Sequence, residues 1–257
     1  MSEGRAPTPR PFLLSQAVER LDREGLLVLA PDADPLVEGV QEDSRRVRGG
    51  DLFCAWSGSI SDGHRFVGAA EAAGAVAALV EEPVAESRLP QVVVRNGRRA
   101  AGAVAAMAYG DPGESLRLVG VTGTNGKTTT VWLLRHLLGA RYSAASLGTL
   151  GAVLPDGSPL SEGESLTTPG PVELAATLAS LVARGVDAVA MEVSSHALDQ
   201  GRAHALRFAA GVFTNVSRDH LDYHGTEEAY RAAKRLLVDL IEPDGVAVIN
   251  ADDPAWT

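Results

Sequence analysis

Residues 120–130 read GVTGTNGKTTT, a run whose backbone and side chains suit phosphate. Gly123 and Gly126 allow a tight turn that brings N–H groups close to phosphate oxygens at the start of a helix. Lys127 adds a positive charge for the outer phosphates, and Thr128 a hydroxyl for a magnesium ion bridging them. The spacing departs from the general phosphate-loop pattern: five residues separate Gly120 from Gly126, so the first required glycine falls on Val121. The working core is therefore Gly123, Thr124, Asn125, Gly126, Lys127 and Thr128, followed by Thr129, and ATP is the ligand expected there. The competing reading, a glycine-rich turn that merely joins strand to helix, fits poorly with Gly-Lys-Thr between an apolar run and a helical one.

Several other groups could serve such a site. Glu192 ends the run VDAVAMEV, and strand C-termini in open α/β sheets point into the ligand crevice. Its carboxylate can meet magnesium there, or else cap a helix or join a salt bridge. His220 and His224 lie in the acid-rich loop DHLDYHG and can bind metal or hydrogen-bond locally; His220 is the expected metal ligand. Neither has the partners or spacing of a zinc site, which favours magnesium–ATP chemistry. Thr167 and Thr168 precede a predicted helix, so their hydroxyls either cap it or hold a ligand's polar groups. Lys234 follows Tyr230 by four residues on one helical face and, on the residues alone, reads as a solvated lysine. Ser194, Ser195 and His196 are adjacent on a strand end, which makes no catalytic triad, and no G-x-S-x-G elbow occurs.

The elements that must position these groups are legible as continuous apolar runs. LRLVGVT, VDAVAMEV, FAAGVFT and VAVIN read as buried parallel strands. One helix is expected from Pro171 to Gly185 and another from Thr226, where Glu227 and Glu228 favour the positive end of the dipole. The alternation predicts an α/β fold with a doubly wound, mostly parallel sheet of the phosphate-loop type. Between Leu36 and about Tyr109, DLFCAW, AVAALV and QVVVR alternate with alanine-rich stretches, which predicts a smaller α/β domain. The turn formers Gly110-Asp111-Pro112-Gly113 mark the boundary. The expected organisation is a partly loose lead-in over 1–35, a small domain over 36–111 and a phosphate-loop domain over 112–257. Because VAVINADDPAWT ends just after a predicted strand, the second domain is expected to be incomplete at its C-terminus.

A net charge of −10 argues against broad adhesion to nucleic acid or an anionic membrane, both of which need a basic face. No run approaches the roughly 20 apolar residues that span a bilayer, and MSEGRAPTPRPF lacks the apolar core of a signal peptide. Cys54 is the only cysteine, so an internal disulfide and a cysteine-based zinc cluster are excluded, and a buried structural thiol is expected. Together these features predict a cytoplasmic protein that works on small molecules.

GTNGKTTT resembles the ATP site of the Mur ligase family and of its folylpolyglutamate synthetase relatives. SLTTPGP, MEVSSHALDQGR and NVSRDHLDYHGTEEAYRAAK follow in the order and rough spacing of Mur ligases that extend UDP-MurNAc-L-Ala-D-Glu. QEDSRRVRGGDLFCAWSGSISDGHRF is similar to their uridine-nucleotide domain, so the resemblance covers about residues 36 to 256. It implies an ATP-dependent ligase of peptidoglycan precursor synthesis that adds meso-diaminopimelate or L-lysine through an acyl phosphate. The alternatives are a non-catalytic module that binds UDP-sugar peptide and ATP, and a folate-glutamate ligase.

The same resemblance implies the site. Lys127, Glu192, His220 and Lys234 would be catalytic, with Mg2+ held by Thr128, Glu192, His220 and a carbamylated Lys234. Ser44, Ser59, Ile60 and Ser61 would meet the uridine diphosphate end of the substrate. Thr167, Thr168, Ser194, Gln200 and Arg202 would hold its peptide end, Arg202 gripping a carboxylate in a bidentate pair. The protein is expected to be a monomer.

Overall fold

In the computed structural model, residues 7–58, 61–160 and 166–256 are described. Contacts group the chain into two units, one of Met1–Asp111 with Pro171–Ala179, the other of Pro112–Gly170 with Ser180–Thr257.

The first unit opens with a strand Phe12–Leu13 (β1) and a helix Leu14–Arg23 (α1). Strands Leu27–Leu29 (β2), Leu36–Val37 (β3), Gly39–Gln41 (β4) and Asp51–Cys54 (β5) follow, then helix Val67–Ala72 (α2). Strands Ala77–Val80 (β6) and Gln91–Val94 (β7) and helix Gly97–Ala108 (α3) complete it. The sheet order is β2-β7-β6-β5-β4, parallel from β4 to β7 with β2 antiparallel at one edge, and β1 pairs with β3 separately. Because side chains alternate across a strand, β5–β7 feed two cores. Leu52, Cys54, Leu79, Val92 and Val94 join α1 and α3, whereas Phe53, Ala78, Val80 and Val93 join Val67 and Ala70 of α2. The Asn96 side chain accepts from Arg99 N at 3.0 Å and caps α3.

Within the expected lead-in of 1–35, Leu14, Ala17 and Leu21 recur at helical spacing along α1 and are buried in the unit's main core. Val172 and Ala175, outside the expected span of 36–111, belong to the same core.

The second unit contains strand Arg117–Thr122 (β8), helix Lys127–Leu138 (α4), strands Ala144–Gly148 (β9) and Gly151–Val153 (β10), and helix Pro171–Val182 (α5), whose first part groups with the other unit. Strand Ala188–Glu192 (β11), helix Ser195–Asp199 (α6), strand Phe208–Phe213 (β12), helices Leu221–His224 (α7) and Glu227–Arg235 (α8) and strand Ile241–Ile249 (β13) follow. The sheet order is β10-β9-β11-β8-β12-β13, all parallel except β10. All four apolar runs read from the sequence are strands of this sheet, but VAVIN is not the buried strand expected, because β13 lies at the sheet's edge with Val246, Val248 and Ile249 exposed. Thr226 caps α8 by accepting from Ala229 N at 3.1 Å. Since β8 is central and the chain leaves it for both sides, the loop after β8 lies where an open α/β sheet binds ligands. Among the described residues no helix is long and apolar enough to cross a membrane.

Candidate phosphate and metal site

The loop between β8 and α4 turns at Gly123 (φ +150°) and Gly126 (φ +83°), both in backbone regions that favour glycine. The end of β12 pins it. Asn215 donates from Nδ2 to Asn125 O at 3.0 Å and accepts from Asn125 N at 3.0 Å; Thr124 N donates to Asn215 O at 2.8 Å. Thr214 Oγ1 donates to Asn125 O at 2.8 Å. A Cβ on Gly123 would run into the Thr214 hydroxyl and lie 3.0 Å from Asn215 O. Gly123→Ala is therefore expected to weaken ADP binding by about tenfold or more, from backbone strain of about 1–3 kcal/mol. Calorimetric titration of the folded variant checks this.

Two lysines converge on this loop. Lys127 Nζ donates to Gly123 O at 2.9 Å and Thr124 O at 3.0 Å, and Lys234 Nζ donates to the same Gly123 O at 2.8 Å. Lys234 lies 4.3 Å from the centre of the Tyr230 ring and is 1% exposed, so it is not the solvated lysine its sequence neighbourhood suggests. Burial pushes the Lys127 ammonium below the ordinary lysine range. Burial, reinforced by the charge of Lys127, brings Lys234 down to about 7.

Glu192 closes β11 between β9 and β8, so its carboxylate emerges between the loops that follow those two strands. It is 2% exposed and accepts from Thr128 Oγ1 at 3.0 Å, Thr149 N at 3.0 Å and Thr149 Oγ1 at 3.3 Å. A Cβ on Gly148 would lie 2.6 Å from Glu192 Cγ, so glycine there makes room for the carboxylate. A buried carboxylate satisfied by hydroxyls and one N–H, beside a phosphate loop, fits a hard cation. Among the described residues no group of three or more His, Cys, Asp and Glu forms a metal cage. Magnesium needs no such cage: one or two protein oxygens plus phosphates and water suffice, which suits Thr128 and Glu192.

His220 stands in the left-handed region (φ +50°) at the start of α7, its ring half-exposed with Nε2 3.6 Å from Asp219 Oδ2. No hydrogen bond joins it to Glu192 or Thr128. It belongs instead to a ring cluster, 4.8 Å from His196 and 6.1 Å from Tyr230 between centroids. Tyr223 and His224 stand 4.3 and 5.4 Å from His196, and His224 Nε2 is 3.1 Å from Ser195 Oγ. Burial lowers the pKa of both His196 and His224, which favours their neutral forms.

The residues expected at the peptide end form one network. Thr168 Oγ1 donates to Glu192 O at 3.0 Å and accepts from Ser194 N at 3.1 Å, which staples a strand end. Ser194 Oγ caps α6 by accepting from Ala197 N at 3.2 Å. Arg202 donates to Gln200 Oε1 from Nε (3.0 Å) and Nη2 (2.7 Å) and to Thr168 O from Nη1 (2.9 Å). Gln200 Nε2 donates to Tyr223 Oη at 3.2 Å, and the hydroxyls of Thr167 and Thr149 lie 3.2 Å apart. Thr149, Asn215, Tyr223 and Tyr230 carry much of this framework. The NVSRDHLDYH and AYRAAK segments held a signal for the last three, whereas Thr149 follows a strand, AASLG, that no apolar run announces.

In the first unit, Ser44 begins a one-turn helix capped by Asp43, and Ser61 O accepts from Gly58 N at 3.0 Å. Ser59 and Ile60 lie outside the described residues. Cys54 is a buried free thiol whose pKa burial raises, so it is chemically quiet.

Residues 121–257 match the Mur ligase middle domain, and residues 36–109 match the Mur ligase family catalytic domain. The chain is 46% identical over 228 residues to the UDP-N-acetylmuramoyl-L-alanyl-D-glutamate--2,6-diaminopimelate ligase of Geobacter sulfurreducens, covering 84% of this chain and 44% of that protein. It is 44% identical over 236 residues to the UDP-N-acetylmuramyl-tripeptide synthetase of Deinococcus radiodurans, covering 89% and 47%. A solved UDP-N-acetylmuramoyl-L-alanyl-D-glutamate--2,6-diaminopimelate ligase superposes with a TM-score of 0.71 at 33% identity, over 85% of this chain and 44% of that one. The MurF ligase of Thermotoga maritima in complex with ADP gives a TM-score of 0.56 at 25% identity, over 84% and 46%. The chain thus spans less than half the length of these relatives.

Proposed function

Because this chain belongs to the Mur ligase family, we propose that it carries the ATP and nucleotide-peptide sites of a ligase that joins a diamino acid, meso-diaminopimelate or L-lysine, to UDP-MurNAc-L-Ala-D-Glu. The observation that carries this reading is the convergence of the phosphate loop, its two lysines and the Thr128–Glu192 pair at the switch point of the sheet. The names of the two curated relatives agree with it. The protein acts in the cytoplasm as a monomer.

Loop N–H groups and Lys127 bind the phosphates, Lys127 exchanging its present carbonyl partners for phosphate oxygens. Thr128, Glu192, His220 and modified Lys234 would hold magnesium, which would supply charge neutralisation for the transfer of the γ-phosphoryl group. The D-glutamyl carboxylate attacks the γ-phosphorus; an O–P bond forms, the bond to the β-phosphate oxygen breaks and ADP leaves. The amine of the incoming amino acid then adds to the acyl carbon, loses a proton, and the tetrahedral adduct expels inorganic phosphate. Thr167, Thr168, Ser194, Gln200 and Arg202 position the peptide end, and Ser44, Ser59, Ile60 and Ser61 the uridine diphosphate end. Lys234, with its pKa near 7, is neutral often enough to attack carbon dioxide. The N–C bond forms, the amine proton departs, and a cation becomes a carbamate anion able to approach magnesium.

The protein expressed from its complete reading frame tests the reading. ADP release that requires both UDP-MurNAc-L-Ala-D-Glu and a diamino acid is expected. Release indifferent to the UDP-peptide contradicts it. Tight UDP-peptide binding without turnover would instead support a non-catalytic binding module.

A further inference from the structure

Tyr230 takes no part in the function proposed above, yet it meets both the phosphate loop and Lys234. It lies in the first half of α8, one turn before Lys234, and is 1% exposed. Its hydroxyl is 3.1 Å from Thr124 Oγ1. The Thr124 hydroxyl also accepts from Ser217 N at 3.0 Å and donates its single proton to Ser217 O at 3.2 Å. With the Thr124 proton directed to Ser217 O, the tyrosine hydroxyl is left to donate between the two hydroxyls. The ring face receives Lys234 Nζ at 4.3 Å, while His224 and His220 stand 5.3 and 6.1 Å away.

One face of α8 thus holds two successive loop residues, Gly123 through Lys234 and Thr124 through Tyr230. The geometry points to Tyr230 as a positioning residue: its hydroxyl sets the phosphate loop before nucleotide arrives, and its ring fixes where the Lys234 side chain ends. Neither action requires Tyr230 to touch substrate. The second action rests on the function proposed above, in which the end of Lys234 serves the metal; the first does not.

Two variants separate the actions. Tyr230→Phe removes only the hydroxyl and is expected to raise the Kd for ADP about fivefold, the worth of one neutral hydrogen bond, while keeping the carbon-13 carbamate signal of Lys234 under labelled carbon dioxide. Tyr230→Leu also removes the ring, and is expected to lower that carbamate signal and to reduce kcat. A merely structural tyrosine would lower the melting temperature and leave the ADP affinity and the carbamate signal of the folded protein unchanged, which overturns the assignment. Tyr230→Phe keeps the test decisive if the leucine variant does not fold. If wild-type protein gives no carbamate signal, the reading of Lys234 fails, and the hydroxyl's role still stands or falls on the ADP affinity of Tyr230→Phe.

Discussion

Lys234→Met stabilises the fold near pH 6 and removes turnover. Both effects follow from one buried amine. The native chain releases this proton near pH 7, whereas the unfolded chain holds it up to about pH 10.4. Between those values the unfolded state binds more protons, so wild-type stability rises with pH, and below pH 7 the full penalty of the buried charge applies. Methionine fills a similar volume without that charge. Gly123 O keeps its hydrogen bond from Lys127, so no buried carbonyl is orphaned. The variant is expected to be more stable than wild type by about 2–4 kcal/mol at pH 6 in buffer free of carbon dioxide, the gap closing toward pH 10. Urea midpoints across that range check it; a variant less stable at pH 6 would show that Lys234 is not a buried cationic burden. Turnover is expected to fall by about a thousandfold or more, because the carbamate proposed for Lys234 cannot form.

Glu192→Gln is expected to uncouple nucleotide binding from magnesium. Glutamine keeps the size of the side chain, and its carbonyl can still accept from Thr128 Oγ1 and Thr149 N. Its NH2 group then faces Thr149 Oγ1, a hydroxyl that can rotate to accept. Stability should therefore change by only about 1 kcal/mol. The negative charge is what disappears. In wild-type protein magnesium should tighten ADP binding; in the variant, affinities with and without magnesium should coincide, and turnover should fall about a thousandfold. Calorimetric titrations of ADP with magnesium or with a chelator decide the matter: equal tightening in both proteins would remove Glu192 from the metal site.

Much of this was readable in the sequence, for identifiable reasons. Buried parallel strands must be apolar on both faces, so β8 and β11 announce themselves, and Gly-Lys-Thr after β8 locates the phosphate loop; β12 is partly buried and β13, an edge strand with Val246, Val248 and Ile249 exposed, is apolar without being buried. What escaped depends on long-range contact. Lys234 meets a carbonyl 111 positions away, and nothing in AYRAAK by itself says that the amine is buried. Thr149 follows the short strand β9, whose small residues lack a strong apolar signature. α1 was hidden by polar residues between its three buried positions. The threonines before α5 read as caps or ligand contacts, because the partner of Thr168 is the far end of β11.

Acyl-phosphate formation is tested most directly by labelling the reacting D-glutamyl carboxylate of UDP-MurNAc-L-Ala-D-Glu with oxygen-18 and weighing the inorganic phosphate released during ligation by the protein from its complete reading frame. Transfer of one labelled oxygen into each phosphate is the predicted result, because the carboxylate oxygen that attacks phosphorus leaves with it. Ligation accompanied by unlabelled phosphate would contradict a carboxylate activated on this loop.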